Sequence, residues 1–397
     1  MSTQEDSTLP TGTKIFPLDK YFDFYEKSIE DIEAFWAKVA AENISWFKTW
    51  EKTLDWNPPF AKWFVGGKLN ASYNCLDRHL PTKRNKVAYY WEGEKGEKRS
   101  LSYQDLFSEV NKFASALIDL GVSKDSKVTI YLPMIPELPI AMLACARLGA
   151  PFTVVFSGFS SQALSDRMND SGSSLLITAD GGFRRGKVIP LKSICDEALT
   201  TSSQVEKVIV YRRTGENIEM KQGRDVWWSD IVSGKGNEIV APEQVDSSHT
   251  LYLLYSSGTT GKPKAIVHGT GGYITYINAT AQWVFDPQPN DVYWCAADVG
   301  WVTGHSYIVF GPLSLGLTSV LYEGVPDYPH NDRLWEMVER YGVNILYTSP
   351  TALRGLMRYG DEPPGKHDLS SLRILGSVGE PINPHVWLWY VMYPPVP

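Results

Sequence analysis

Cysteine is scarce in this chain: there are four in 397 residues. Cys75, Cys145, Cys195 and Cys295 lie at least fifty residues apart. No CxxC pair or zinc-type spacing exists, so the expectation is reduced thiols in a cytoplasmic protein. No apolar run approaches the roughly 20 residues of a membrane-spanning helix. The opening MSTQEDSTLP has neither a basic n-region nor an apolar h-region, so no signal peptide and no membrane partner is expected. An excess of basic charge is also missing, with 38 Lys and Arg against 45 Asp and Glu. A net charge of −7 argues against a surface devoted to nucleic acid, although a local basic patch can still bind an anion. There is no internal repeat and no low-complexity segment.

What is present is a long globular chain. Its apolar content of 43% permits a sizeable core, and its length implies two or more lobes. Residues 1–100 are rich in tryptophan and tyrosine and read as a helical, aromatic segment packed on the main lobe. Within Ser28–Trp50, Ile32, Trp36, Val39 and Trp46 recur at helical spacing. Trp46, Trp50, Trp56 and Trp63 are expected to fill core against the larger lobe, the usual place for large aromatics.

From residue 101 helices and strands alternate. Helices are predicted over 103–120, 138–148, 160–169 and 190–198. Strands are predicted over 127–132, 151–156, 174–178 and 208–211. Residues 213–248 are polar and read as a linking stretch. The alternation then resumes, with strands over 250–255, 318–321, 345–348 and 374–377, and helices over 272–283, 307–315, 331–341 and 350–358. The pattern predicts an α/β fold with two doubly wound, mostly parallel sheets. The first is expected over about 101–212 and the second over about 249–390, before a Pro-rich tail at 391–397.

One stretch carries chemistry. Residues 254–273 read LYSSGTTGKPKAIVHGTGGY. The Walker A pattern requires Ser or Thr after its lysine and a helix behind it. Here Pro263 follows Lys262 and the next residues read as a strand, which excludes a P-loop NTPase. The loop can still cradle phosphate. Gly258 and Gly261 permit positive φ and close backbone approach, and consecutive amides form an anion nest. Ser256, Ser257, Thr259 and Thr260 add hydroxyl donors, and Lys262 or Lys264 adds charge.

YSSGTTGKPK resembles the phosphate loop of the adenylate-forming, AMP-producing acyl-CoA synthetase superfamily. NASYNCLDR at 70–78, ADGGFRRGKVIPLK at 179–192, DVGWVTGHSY at 298–307, EGVP at 323–326 and ILGSVGEPINP at 374–384 narrow the likeness. Together, in family order, they resemble the acetyl-CoA synthetase (acetate–CoA ligase) family and the related propionyl-CoA synthetases. The similarity extends to about Tyr390, so residues 101–390 would form an AMP-binding domain. The resemblance implies acetate, ATP with Mg²⁺, and coenzyme A as substrates and cofactor. A carboxylate attacks the ATP α-phosphate, and the coenzyme A thiol then takes the acyl group. Such catalysis is mostly positioning and stabilisation of phosphate charge.

On this resemblance Ser256, Ser257, Gly258, Thr259, Thr260, Gly261, Lys262 and Lys264 would hold the outer phosphates. Gly379, Glu380 and Pro381 would contact the nucleotide. Val302, Thr303 and Val378 would line a small acyl pocket. Arg184, Arg185, Gly186, Lys187, Thr303 and Asp327 would meet coenzyme A. Asp327 departs from the family's asparagine, and a carboxylate is a poor neighbour for an anionic ligand. His305 is read as structural. Other family motifs do not occur here: a Thr-Trp-Trp-Gln-Thr-Glu-like strand supplying the pocket floor and the Mg²⁺ ligand, a ribose-binding aspartate, a hinge arginine and the adenylation lysine. The expectation is therefore an incomplete enzyme, weakly active or inactive, with no catalytic residue and no metal ligand assigned. A propionyl-CoA synthetase fragment and a non-catalytic nucleotide- or coenzyme A-binding remnant are the alternatives; the oligomeric state stays open.

Overall fold

A computed structural model describes residues 18–236, 238–256 and 263–392. Two twisted sheets form its frame. The seven-stranded sheet runs in the order Asp225–Trp227, Lys207–Tyr211, Leu175–Ala179, Val128–Tyr131, Phe152–Val154, Thr250–Ser256, Lys264–Gly269. The six-stranded sheet runs Ile374–Ser377, Ile345–Thr348, Val292–Ala296, Thr318–Glu323, Val87–Gly93, Lys98–Ser102. Every pairing within these two sheets is parallel except the last of each, an antiparallel hairpin at one edge. Buried parallel strands read as continuous apolar runs, and LLITA at 175–179, buried throughout, is one of them. The α/β expectation therefore holds.

Local signals account for many of the helices. Tyr103–Asp119 starts at a capping box between Ser102 and Asp105, which satisfies two otherwise orphaned donors. Its buried face carries Leu106, Val110, Phe113 and Leu117. Ser160 caps Ser161–Ser171 by accepting from the Ala163 amide, as its place in the sequence predicts. No helix among the described residues is long and apolar enough to cross a membrane. All four cysteines are buried and free. Burial pushes the thiols of Cys145, Cys195 and Cys295 up to about 12.

The strands are shared between the sheets differently from the expectation. The hairpin of Thr250–Ser256 and Lys264–Gly269 completes the first sheet, Tyr252 pairing with Phe152. The hairpin of Val87–Gly93 and Lys98–Ser102 belongs to the second sheet, where Tyr90 pairs with Val320. These partners lie far apart in sequence, so periodicity carries no sign of them. Residues 213–248 are not a plain linker either. Asp225–Trp227 adds a parallel edge strand beside Lys207–Tyr211, and Trp228 stacks on Phe113 with centroids 3.6 Å apart. The strand Val292–Ala296, short and flanked by polar turns, is unpredicted.

At the N-terminal side, Leu18–Glu30 and Ile32–Asn43 are helices, and Lys52–Asn57 pairs with Phe60–Val65 as a hairpin. Trp46 and Trp50 cluster on Phe64 at 5.3 and 4.9 Å. Trp56 corrects the packing expectation: it is 63% exposed, because it lies near the hairpin turn, beyond the body of the protein.

Candidate functional site

Because the core strands of the second sheet are parallel, the loops after Val292–Ala296, Thr318–Glu323, Ile345–Thr348 and Ile374–Ser377 leave from one carboxyl edge. Ligands bind at such edges in α/β proteins. DVGWVTG and EGVP therefore emerge from neighbouring strands, and VGEP from the same edge two strands away from DVGWVTG.

DVGWVTG leaves the first of these strands in a tight turn, in which Asp298 Oδ1 accepts from the Gly300 amide at 2.7 Å. Val302 and Thr303 begin the helical segment that follows. They line a cavity of about 740 Å³ together with Val378, His268, Tyr273 and Ser306. The three expected acyl-pocket residues thus come from two loops into one space. That volume lies within the usual range for small-molecule sites. The polar wall is internally bonded: Tyr273 Oη and Ser306 Oγ lie 3.0 Å apart. Burial holds His268 below its ordinary value. Burial also pushes His305 down to about 4, and its ring packs on Tyr252 at 4.5 Å. It is a neutral packing residue.

The same turn faces a second, smaller cavity. Asp298 and Trp301 line about 210 Å³ with Arg184, Phe156 and residues Gly324–Pro326. Thr303, expected at both substrates, lines only the larger of these two cavities. Burial pushes Asp298 up to about 6, against the pull of the Gly300 amide and Arg184. A carboxyl raised from 3.8 to about 6 holds its proton longer in the folded chain. Its contribution to stability is full below the lower value and is lost as pH rises through the upper one. Asp298→Asn should therefore flatten the fall in stability between pH 4 and 6.5, a difference of about 1–3 kcal/mol. Denaturation at several pH values, compared between the two proteins, checks this.

RRGK caps a two-stranded hairpin, Gly182–Arg184 with Lys187–Ile189. Its tip is held rather than free. The amides of Arg185 and Gly186 donate to the Glu94 carboxylate at 2.7 and 2.8 Å. Gly186 sits at φ +73°, and a Cβ there would meet the Tyr328 hydroxyl at 2.3 Å. The departure at Asp327 has a local partner: Arg185 Nη2 donates to it at 2.8 Å, and the Tyr359 hydroxyl at 3.0 Å. Arg185 thus neutralises the carboxylate, while Arg184 lies over the Phe156 ring at 5.7 Å.

EGVP is anchored through its glutamate. Arg213 donates to Glu323 Oε2 through Nε at 2.8 Å and Nη2 at 2.5 Å. At VGEP, the Glu380 carboxylate accepts from the Thr351 amide at 2.8 Å and Arg354 at 2.6 Å. It is already engaged within the protein.

Ser256 and Lys264 end the two hairpin strands, paired with each other. Ser257, Gly258, Thr259, Thr260, Gly261 and Lys262 lie outside the described residues. The strand after the loop leads to the cavity, where Val267, His268 and Gly269 form part of the wall. Sequence reasoning missed Trp63, Ser247, Ser248 and Tyr276 as cavity residues. Only a three-dimensional contact reveals them; His268 and Tyr273, by contrast, stand within the quoted loop. Among the described residues no three His, Cys, Asp or Glu side chains gather as a metal-binding group.

A family model described as AMP-binding enzyme matches residues 76–395. Another, acetyl-coenzyme A synthetase N-terminus, matches 21–75. The chain is 58% identical over 368 residues to an acetyl-coenzyme A synthetase of Rubrobacter xylanophilus, covering 92% of this chain and 57% of that protein. It is 56% identical over 388 residues to one from Pyrobaculum arsenaticum, covering 95% and 58%. Among solved structures, acetoacetyl-CoA synthetase from Streptomyces lividans matches with a TM-score of 0.86 at 28% identity, over 93% of this chain and 56% of that one. The chain thus spans a little over half the length of the relatives it matches.

Proposed function

The chain belongs to the AMP-binding enzyme family, and we propose that its site serves an AMP-forming acetate–CoA ligase. In the first half-reaction a carboxylate oxygen of acetate bonds to the ATP α-phosphorus and pyrophosphate leaves. In the second, the coenzyme A sulfur bonds to the acyl carbon, AMP leaves, and the thiol proton is released.

The observation that carries this reading is the meeting of Val302, Thr303 and Val378 around one cavity beside the strand that leaves the phosphate loop. Two β-branched apolar walls suit a short acyl chain, and Thr303 supplies a hydroxyl. The proposed division of labour follows the residues. Ser256 to Lys264 hold the outer phosphates of ATP, and the Gly379–Pro381 backbone meets the nucleoside. Arg184 and Lys187 attract the phosphates of coenzyme A, with Asp327 silenced by Arg185. Mg²⁺ would enter with ATP and would supply neutralisation of phosphate charge; no described residue is assigned as its ligand.

Isothermal titration with the propyl ester of AMP, an unreactive mimic of a short acyl adenylate, tests the nucleotide and acyl halves together. Saturable binding is expected. A separate titration with coenzyme A reports on the Arg184 side, and absence of both interactions would remove the reading.

A further inference from the structure

The tip of the RRGK hairpin is a two-residue turn with both residues in the left-handed region, Arg185 at φ +52° and Gly186 at φ +73°. Glu94 accepts from both of their amides, at 2.7 and 2.8 Å. The Tyr328 hydroxyl lies so close to Gly186 that no room is left there for a Cβ. The backbone of the tip is therefore pinned, and what remains adjustable is the Arg185 side chain.

That side chain is held by one carboxylate. Arg185 Nη2 donates to Asp327 Oδ1 at 2.8 Å, and the Tyr359 hydroxyl donates to Asp327 Oδ2 at 3.0 Å. The partners are unequally placed: the Arg185 side chain is 56% exposed and that of Asp327 only 9%. Asp327 is thus the anchored member and Arg185 the one that can leave. An ion pair with an exposed partner holds weakly, whereas a guanidinium can grip a phosphate through two parallel hydrogen bonds. A phosphomonoester carries nearly two negative charges at neutral pH, so it is the anion best able to take Arg185 from Asp327. Doing so strips the carboxylate of its cation, and that loss weakens the binding.

We propose that Asp327 withholds Arg185 from the site, and thereby sets how strongly the chain selects a coenzyme that carries a 3′-phosphate over one that lacks it. The inference rests on the reading that this hairpin meets the phosphates of coenzyme A. The Arg185–Asp327 contact is a built-in competitor, displaced when a phosphomonoester replaces the carboxylate at the guanidinium.

Titration with coenzyme A and with dephospho-coenzyme A tests this at low ionic strength, where surface charge is least screened. Asp327→Asn keeps an oxygen that accepts from Tyr359. It should bind coenzyme A about three- to fivefold more tightly, with little change for dephospho-coenzyme A. Arg185→Ala should weaken coenzyme A binding at least about threefold more in the Asp327→Asn chain than in the unaltered one, because only there is the guanidinium free. Arg185→Gln serves if the alanine variant does not fold. Equal penalties in the two backgrounds, a gain of the same size for both ligands, or no gain at all overturns the inference and leaves the site reading intact. Failure of both the unaltered chain and Asp327→Asn to bind coenzyme A overturns both.

Discussion

Gly304→Ala should lower stability by about 3 kcal/mol and weaken ester binding at the cavity. Gly304 is not at an unusual dihedral: its φ and ψ are −67° and −46°. Its necessity is steric. A Cβ would sit 2.2 Å from the Asp298 carbonyl oxygen and 2.4 Å from Val299 Cα. Both are backbone atoms, so no side-chain rotation relieves the clash. The turn folds back onto the start of its own helix, and only a bare Cα permits that. Forcing the layers apart displaces Val302 and Thr303, the residues that line the cavity. The expected result is a fall of several degrees in the thermal midpoint and at least about a tenfold loss of AMP-ester affinity. A normal midpoint would show that the turn tolerates the methyl.

Arg213→Ala should cost about 3–5 kcal/mol near neutral pH, the usual range when one partner of a buried ion pair is removed. Arg213 bridges Glu323 and Glu97, and its side chain is 11% exposed against 2% for Glu323. Its guanidinium also lies 4.7 Å from the Phe183 ring centre. It follows an inner strand of the first sheet and grips the end of a strand in the second. Burial pushes Glu323 up to about 7 while Arg213 pulls it back. Without the arginine the carboxyl rises further, and the fold must then take up a proton or keep a charge unpaired. Folded-state elevation of an acid makes stability fall as pH rises. The penalty should therefore be smaller at pH 5 than at pH 7.5. Arg213→Ala with Glu323→Gln should recover much of the loss at the higher pH, a double-mutant cycle measured by denaturant unfolding.

Legibility followed the range of the physics. Gly149 behind 137–148, Ser160 before 161–171 and the all-apolar LLITA are local signals, and they located their elements within a few residues. Pro263 signalled a hairpin instead of a helix, and Lys264–Gly269 is a strand. Sheet membership was not legible, because Phe152 finds Tyr252 and Val320 finds Tyr90 through packing alone. The tryptophans show the same division. All four were equal candidates for core in the sequence, yet Trp46 and Trp50 cluster, Trp56 is exposed and Trp63 lines a cavity. Asp327 looked misplaced beside an anion until Arg185 appeared next to it, one hairpin and 142 residues away.

We propose that one cavity holds a short acyl group joined to AMP, with Val378 as part of its wall. Calorimetric titration of AMP and its propyl ester against the chain and against Val378→Phe tests it most directly. Saturable ester binding to the unaltered chain is expected. Phenylalanine should weaken the ester by about tenfold or more relative to AMP itself. Ester binding that is absent, or that survives Val378→Phe unchanged relative to AMP, would contradict it.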